Sequence, residues 1–129
     1  MQFIRTHFRE TSFVAEYDFD ITGFLNGFFS QTFSDEAYIH FVGVHPDFRK
    51  HGVARMLYEK FFAVTRAAGR NTVRCVTSPV NKVSVAFHQG MGFEIETGDV
   101  EVDGISAHSN YDGKGESRVL FFKRLESGD

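Results

Sequence analysis

Between Tyr38 and Thr77 the apolar residues change their period twice, and no other feature constrains the fold as much. "EAYIHFVGVH" (Glu36–His45) reads as a strand, ended by Pro46 because proline cannot donate to a strand ladder. Val53, Leu57, Phe61, Val64 and Ala68 then recur at helical spacing, with Gly69 where a C-terminal cap belongs. "NTVRCVTS" (Asn71–Ser78) returns to a strand pattern and Pro79 breaks it. Strand, helix and strand in this order imply a crossover with the helix packed on a sheet.

The flanking segments extend that sheet. "SFVAEYD" (Ser12–Asp18) and "ITGFLNGFFS" (Ile21–Ser30) read as an antiparallel hairpin, while Met1–Glu10 is open between a helix remnant, an arm and an edge strand. A second helix is expected from about Lys82 to Met91, with Val83, Ala86, Phe87 and Gly90 lining one side and Gly92 ending it. "FEIETGDVEV" (Phe93–Val102) is then a strand, Gly104–Ser117 a loop by composition, and "RVLFFKRL" (Arg118–Leu125) a final strand. The result is an α/β (α+β) chain of 129 residues, a length that fits one domain spanning 1–129. Sixteen Phe and no Trp mean a core packed with phenylalanine, so an isolated Phe says nothing of function.

A formal charge of -3 gives no basic field, which argues against nucleic acid as a partner. Cys75, the single cysteine, cannot form an internal disulfide and is expected to be a buried apolar residue. No stretch has the make-up of a signal peptide or the length to span a bilayer, so the expected setting is cytoplasmic, with no membrane partner. His7, His45, His51 and His108 show no metal-ligand spacing with Cys75 or with each other, so no metal is expected.

Within the crossover, Arg49 and Lys50 stand just before Gly52 at the start of the helix. A helix start leaves about four backbone N–H groups without intrahelical partners and carries roughly half a positive charge. An anion is its natural ligand, and a glycine there keeps no side chain between phosphate and backbone. A surface turn with two solvated cations is the other reading of the same residues. A nucleotide P-loop is not, because G-x-x-x-x-G-K-[ST] is absent and "YDGKGES" (Tyr111–Ser117) only looks glycine-rich.

The full spelling, "VHPDFRKHGVARML", resembles the acetyl-CoA-binding motif of the GNAT superfamily, the GCN5-related N-acetyltransferases. The pattern of Arg or Gln, two residues, Gly, one residue, then Gly or Ala is met by Arg49-Lys50-His51-Gly52-Val53-Ala54, after the usual Val-x-Pro at Val44-His45-Pro46. A second family signature follows at Asn81, Ser84, Phe87, His88 and Gly92-Phe93. The resemblance runs from about Phe13 to Leu125. It implies a central mixed, mostly antiparallel sheet with a strand–helix–strand crossover, lacking most of the usual N-terminal strand and helices. It also implies acetyl-CoA as acetyl donor, its pyrophosphate held by the backbone of His51, Gly52, Val53 and Ala54 with Arg49 and Lys50. Val42 and Val44 would pair through their backbone with the pantetheine arm, which Asn81 and Phe87 would also contact.

Acetyl transfer to an amine needs a base, and the departing thiolate benefits from an acid. By strict alternation His40 shares a strand face with Tyr38, Val42 and Val44. His40 resembles a histidine that some small-amine acetyltransferases of the family carry at this distance before the motif's Arg; an ordinary strand histidine is the alternative. Tyr38 falls where the histone-acetylating branch has a glutamate base. His88 stands where many members have a tyrosine acid, and is either that acid or a helix-surface contact.

Acidic residues of the last two strands and their connection could form a lip favouring a cationic amine. The expected activity is transfer of acetyl from acetyl-CoA to a primary amine of a small molecule. A protein or peptide amine and a non-catalytic acyl-CoA-binding module are the alternatives. The family's N-terminal elements usually wall the acceptor site; here the expectation is either a reduced member, or a chain without its start, or a wall supplied by a partner subunit, as a homodimer would do.

Overall fold

The computed structural model describes residues 2–6, 11–49 and 51–126. His7 and Lys50 lie outside them. The fold is mixed α/β, with a mostly antiparallel sheet and two helices. It divides into two compact units, residues up to Val73 with Leu125 onward, and Arg74–Arg124.

The first unit begins with an antiparallel meander, β1 (Gln2–Thr6), β2 (Ser12–Tyr17), β3 (Asp20–Phe29) and β4 (Glu36–Val44). The hairpin expected at Ser12–Ser30 is β2–β3, and the open N-terminal segment holds an edge strand. Helix α1 (Val53–Ala67) buries Val53, Leu57, Tyr58, Phe61, Phe62 and Thr65. Full burial of a side chain such as Phe61 contributes about 1.5–3 kcal/mol. Sheet and helix meet closely at the glycines of β3: a Cβ on Gly27 would overlap the Phe61 ring, and one on Gly23 would lie 2.9 Å from Val53.

The helix stops as the sequence predicts. Gly69 takes φ 77°, and the N–H groups of Gly69 and Arg70 donate to the carbonyls of Arg66 and Thr65 at 2.9 and 3.1 Å. This is a Schellman ending. The Arg70 side chain then does something its sequence context does not announce. Its guanidinium donates to the carbonyls of Ser30, Phe33 and Glu36 at 3.0, 3.2 and 2.8 Å, and lies 4.8 Å over the Phe29 ring. The β3–β4 connection is thereby gathered around one cation.

Register corrects the alternation expected along β4. Asn26 pairs with Phe41 and Gly27 with Ile39, so His40 is an extra residue in a β-bulge. Val42 and Val44, opposite Leu25 and Gly23, lie on the face packed by α1. Tyr38, opposite Phe28, lies on the other face. The bulge shifts the phase of the strand, so His40 and Tyr38 do not share a face with Val42 and Val44.

β5 (Thr72–Thr77) follows α1 in the order predicted, and the division between units falls within it. The second unit continues with α2 (Lys82–Gly90), β6 (Glu94–Ile95), β7 (Val100–Val102), β8 (Ile105–Ala107) and β9 (Val119–Arg124), with β6 antiparallel to β9. The expected single strand Phe93–Val102 is interrupted at residues 96–99, where Gly98 passes so close to Ala107 that a Cβ would strike its carbonyl. The expected loop Gly104–Ser117 begins as a strand. β7 and β8 form a hairpin about Asp103-Gly104, both at positive φ (51° and 82°) as a two-residue turn of type I′ requires.

The rest of that loop is tied by Arg118, which reaches Asp112 at 2.7 Å and Glu116 at 3.3 Å. The buried side of α2 also differs from expectation. Val85 and His88 are buried, whereas Val83 is 82% exposed and Ala86 and Gly90 face solvent. A histidine fills a core position that a polarity count assigns to the surface.

Candidate functional site

The turn from β4 into α1 is built by local hydrogen bonds. The N–H of His45 donates to the Thr22 carbonyl at 2.7 Å, anchoring the end of β4 to β3. A single 3-10 turn, Pro46–Phe48, follows, and His45 Nδ1 caps it by accepting from the Asp47 N–H at 3.1 Å. The Phe48 ring sits between the imidazoles of His45 and His51, at centroid distances of 5.9 and 5.8 Å. Capping by His45 went unseen in the sequence, because histidine is not among the usual capping residues.

Gly52 is the N-cap of α1, in the left-handed conformation (φ 76°, ψ 12°). It offers no side-chain cap, and the first bond of the helix runs from the Met56 N–H to the Gly52 carbonyl at 3.0 Å. No acceptor among the described residues meets the N–H groups of Val53, Ala54 or Arg55. No described residue lies within 4 Å of where a Gly52 Cβ would point. Arg49 and His51 are exposed beside it. Open space, unmet donors and the positive helix end together fit a phosphate. Lys50 falls outside the described residues.

At the bulge, His40 and Phe41 are both exposed, and their rings meet edge to face at 4.5 Å. Neighbours on a regular strand point to opposite sides, so this contact is a direct product of the bulge. Tyr38 stacks on Phe28 at 5.2 Å. Four aromatic rings, Phe24, Phe28, Tyr38 and Phe41, and one imidazole therefore occupy the outward face of β3 and β4.

In the second unit, Asn81 is the N-cap of α2 and its Oδ1 accepts from the Ser84 N–H at 3.1 Å. That bond leaves the amide nitrogen for other use. Phe87 is half-buried, with its ring edge-on to His88 at 5.6 Å. His88 is 7% exposed, stacked on Phe121 at 4.7 Å and edge-on to Phe93 at 5.4 Å. Its Nδ1 lies 2.7 Å from the Ser84 carbonyl, which makes that nitrogen the proton-bearing one. Burial lowers the His88 pKa, and the Ser84 bond offsets this only in part. His88 is thus a neutral, hydrogen-bonded member of the core.

Cys75 is buried as expected, and burial raises its pKa, so it stays a thiol. The acidic residues of the second unit are largely engaged. Glu96 meets Arg74 at 3.3 Å and His108 at 3.4 Å, Asp103 lies 3.8 Å from Lys82, and Asp99 accepts from the Ser109 hydroxyl and N–H. Asp112 and Glu116 share Arg118, while Glu94 and Glu101 are exposed, so the expected acidic lip keeps a net negative charge. Among the described residues no group of three His, Cys, Asp or Glu side chains could hold a metal ion.

Known proteins share this fold. The chain is similar to the solved structures of Ard1 from Thermoplasma volcanium (22% identity, TM-score 0.76, covering 92% of this chain and 72% of that one). It is also similar to nourseothricin acetyltransferase (23%, 0.73, 89% and 65%). A third likeness is to Arabidopsis thaliana Naa50 in complex with the bisubstrate analogue CoA-Ac-MVNAL (18%, 0.69, 88% and 72%). Among curated protein sequences none matches. The model of the acetyltransferase (GNAT) family matches residues 2–93, most of the chain. With that match, and with the fold of its structural neighbours, the chain belongs to the GNAT family of acetyltransferases.

Proposed function

We propose that the chain, with residues 1–129 working as one domain, is an acetyl-CoA-dependent N-acetyltransferase whose acceptor is the primary amine of a small molecule. The observation that carries this reading is the start of α1. A left-handed Gly52 under open space and three N–H groups without acceptors among the described residues stand at the end of a strand whose bulge turns a histidine outward. A strand rises about 3.3 Å per residue, which places His40 roughly 13 Å along β4 from Val44. That span is of the order of an extended pantetheine arm.

In this reading the backbone of His51–Ala54, with Arg49 and Lys50, holds the pyrophosphate of acetyl-CoA. The backbones of Val42 and Val44 pair with the pantetheine; in the second unit Asn81, whose amide nitrogen can donate to the cofactor or to a bridging water, and Phe87 are the candidate cofactor contacts. Acetyl-CoA supplies the acetyl group as an activated thioester. His40 accepts the proton of the incoming amine at its unprotonated ring nitrogen, directly or through one water. Tyr38 borders that position with a phenol able to donate or accept.

The geometry of His88 bears on the second reading, a non-catalytic acyl-CoA-binding module. A neutral imidazole whose Nδ1 proton points at the Ser84 carbonyl is a poor acid for a departing thiolate, which favours the module. The test is thiol release from acetyl-CoA in the presence of a panel of amines. Amine-dependent release with an acetylated product supports the enzyme; acetyl-CoA binding without release under any amine supports the module.

A further inference from the structure

Resting on the reading above, we infer that the acceptor amine is carried by an aromatic ring, and that Phe28, Tyr38 and Phe41 form the surface that receives this ring beside His40.

The bulge is the first ground. It turns Phe41, which a regular strand would bury or separate from His40, onto the same side as the imidazole, with the two rings 4.5 Å apart. Across the strand pair, Phe28 stacks on Tyr38 with centroids 5.2 Å apart and planes inclined by 22°. Phe28 and Phe41 remain 47% and 58% exposed. An outward strand face normally carries polar residues, and exposed rings grouped around a titratable side chain mark a binding surface.

Charge supplies the second ground. From Phe24 to Phe29 on β3 and from Ala37 to Val44 on β4, no side chain carries a formal charge apart from His40 when protonated. The single carboxylate of β4, Glu36, stands at the start of the strand on the side of Tyr38, and none of β3 or β4 flanks His40 in the stretches just named. A flat ring can instead lie against the exposed ring surface, while its amine gains cation–π stabilisation on approach to His40.

The probes are 2-phenylethylamine, spermidine and a lysine-containing peptide at fixed acetyl-CoA. Thiol release is followed, and amine binding is measured separately by saturation-transfer NMR on the wild-type chain. Phenylethylamine should give the highest kcat/KM, about tenfold above spermidine, the range that ring stacking and cation–π contacts supply. Phe28→Ala and Phe41→Ala should each raise its KM several-fold, leaving kcat and acetyl-CoA affinity close to wild type. Both rings are exposed enough to be removed without loss of the core, and Phe41→Leu should recover part of the affinity. Equal or better use of spermidine or the peptide, or an unchanged KM in both alanine variants, would overturn the inference while leaving the acetyltransferase reading intact. Failure of acetyl-CoA to bind, with no amine promoting thiol release, would sink both.

Discussion

His40 and His88 are the two histidines that the sequence offers for proton chemistry, and their surroundings could hardly differ more. His40 sits in a bulge of β4, exposed, its ring edge to face with Phe41. His88 is nearly covered, sandwiched by phenylalanines, with Nδ1 committed to a backbone carbonyl. Residue type alone cannot separate them. The backbone does, because a bulge turns a side chain out of the sheet, while a helix position three residues from a buried valine turns one in.

The comparison breaks first on turnover. His40→Ala should lower kcat by roughly 10²-fold or more, the usual contribution of a general base, with acetyl-CoA affinity unchanged. Steady-state kinetics with calorimetry decides this, and an unaltered pH–rate profile would remove His40 from the mechanism. His88→Phe should leave turnover near wild type, since the ring stack on Phe121 is kept; a loss as large as that of His40→Ala would restore His88 as the acid.

A charge reversal tests the anion site next. Arg49→Glu should weaken acetyl-CoA binding about tenfold, or about 1.4 kcal/mol. The effect should shrink at high salt because Arg49 is exposed. A salt-independent affinity, equal to wild type, would move the pyrophosphate elsewhere.

The smallest expected effect is on stability. Burial holds the His88 pKa below its ordinary value, so the unfolded chain binds a proton that the folded chain resists. Stability from this group is complete above about pH 6.5 and is lost as pH falls below that value, towards the folded-state pKa. Denaturant unfolding between pH 7.5 and 5 should show that slope in the wild type and a weaker one in His88→Phe. A slope of equal size in the variant would assign the pH dependence to other groups.

Most of the secondary structure was legible because punctuation residues do local work. Pro46 follows the end of β4, Gly69 ends α1 and Gly92, at positive φ, follows α2. The site was legible in part for the same reason: Gly52 at a helix start needs a left-handed backbone, and glycine declares it. What escaped depends on partners far along the chain. The bulge at His40 exists in the register between two strands, and Gly27, paired with Ile39, meets Phe61 on the face behind it. The exposed side of α2 could not be read because His88, stacked on Phe121, behaves as an aromatic core residue. Arg70 gathers three carbonyls of a loop some forty residues before it, and no local pattern records that. The β7–β8 hairpin was different, since Asp103-Gly104 between Val102 and Ile105 is a local turn signal; the surrounding Gly, Ser and Asn residues hid it.

The most direct test of the account is a calorimetric titration of the chain with acetyl-CoA, with ATP as control and with Gly52→Val in parallel. A side chain at Gly52 would occupy the open space and strain a backbone at φ 76°. The account predicts saturable, micromolar binding of acetyl-CoA, little of ATP, and loss of acetyl-CoA binding in a folded Gly52→Val. Wild-type affinity in that variant would contradict the central claim that the cofactor is held at the start of α1, and absence of any acetyl-CoA binding by the wild type would contradict the proposed activity itself.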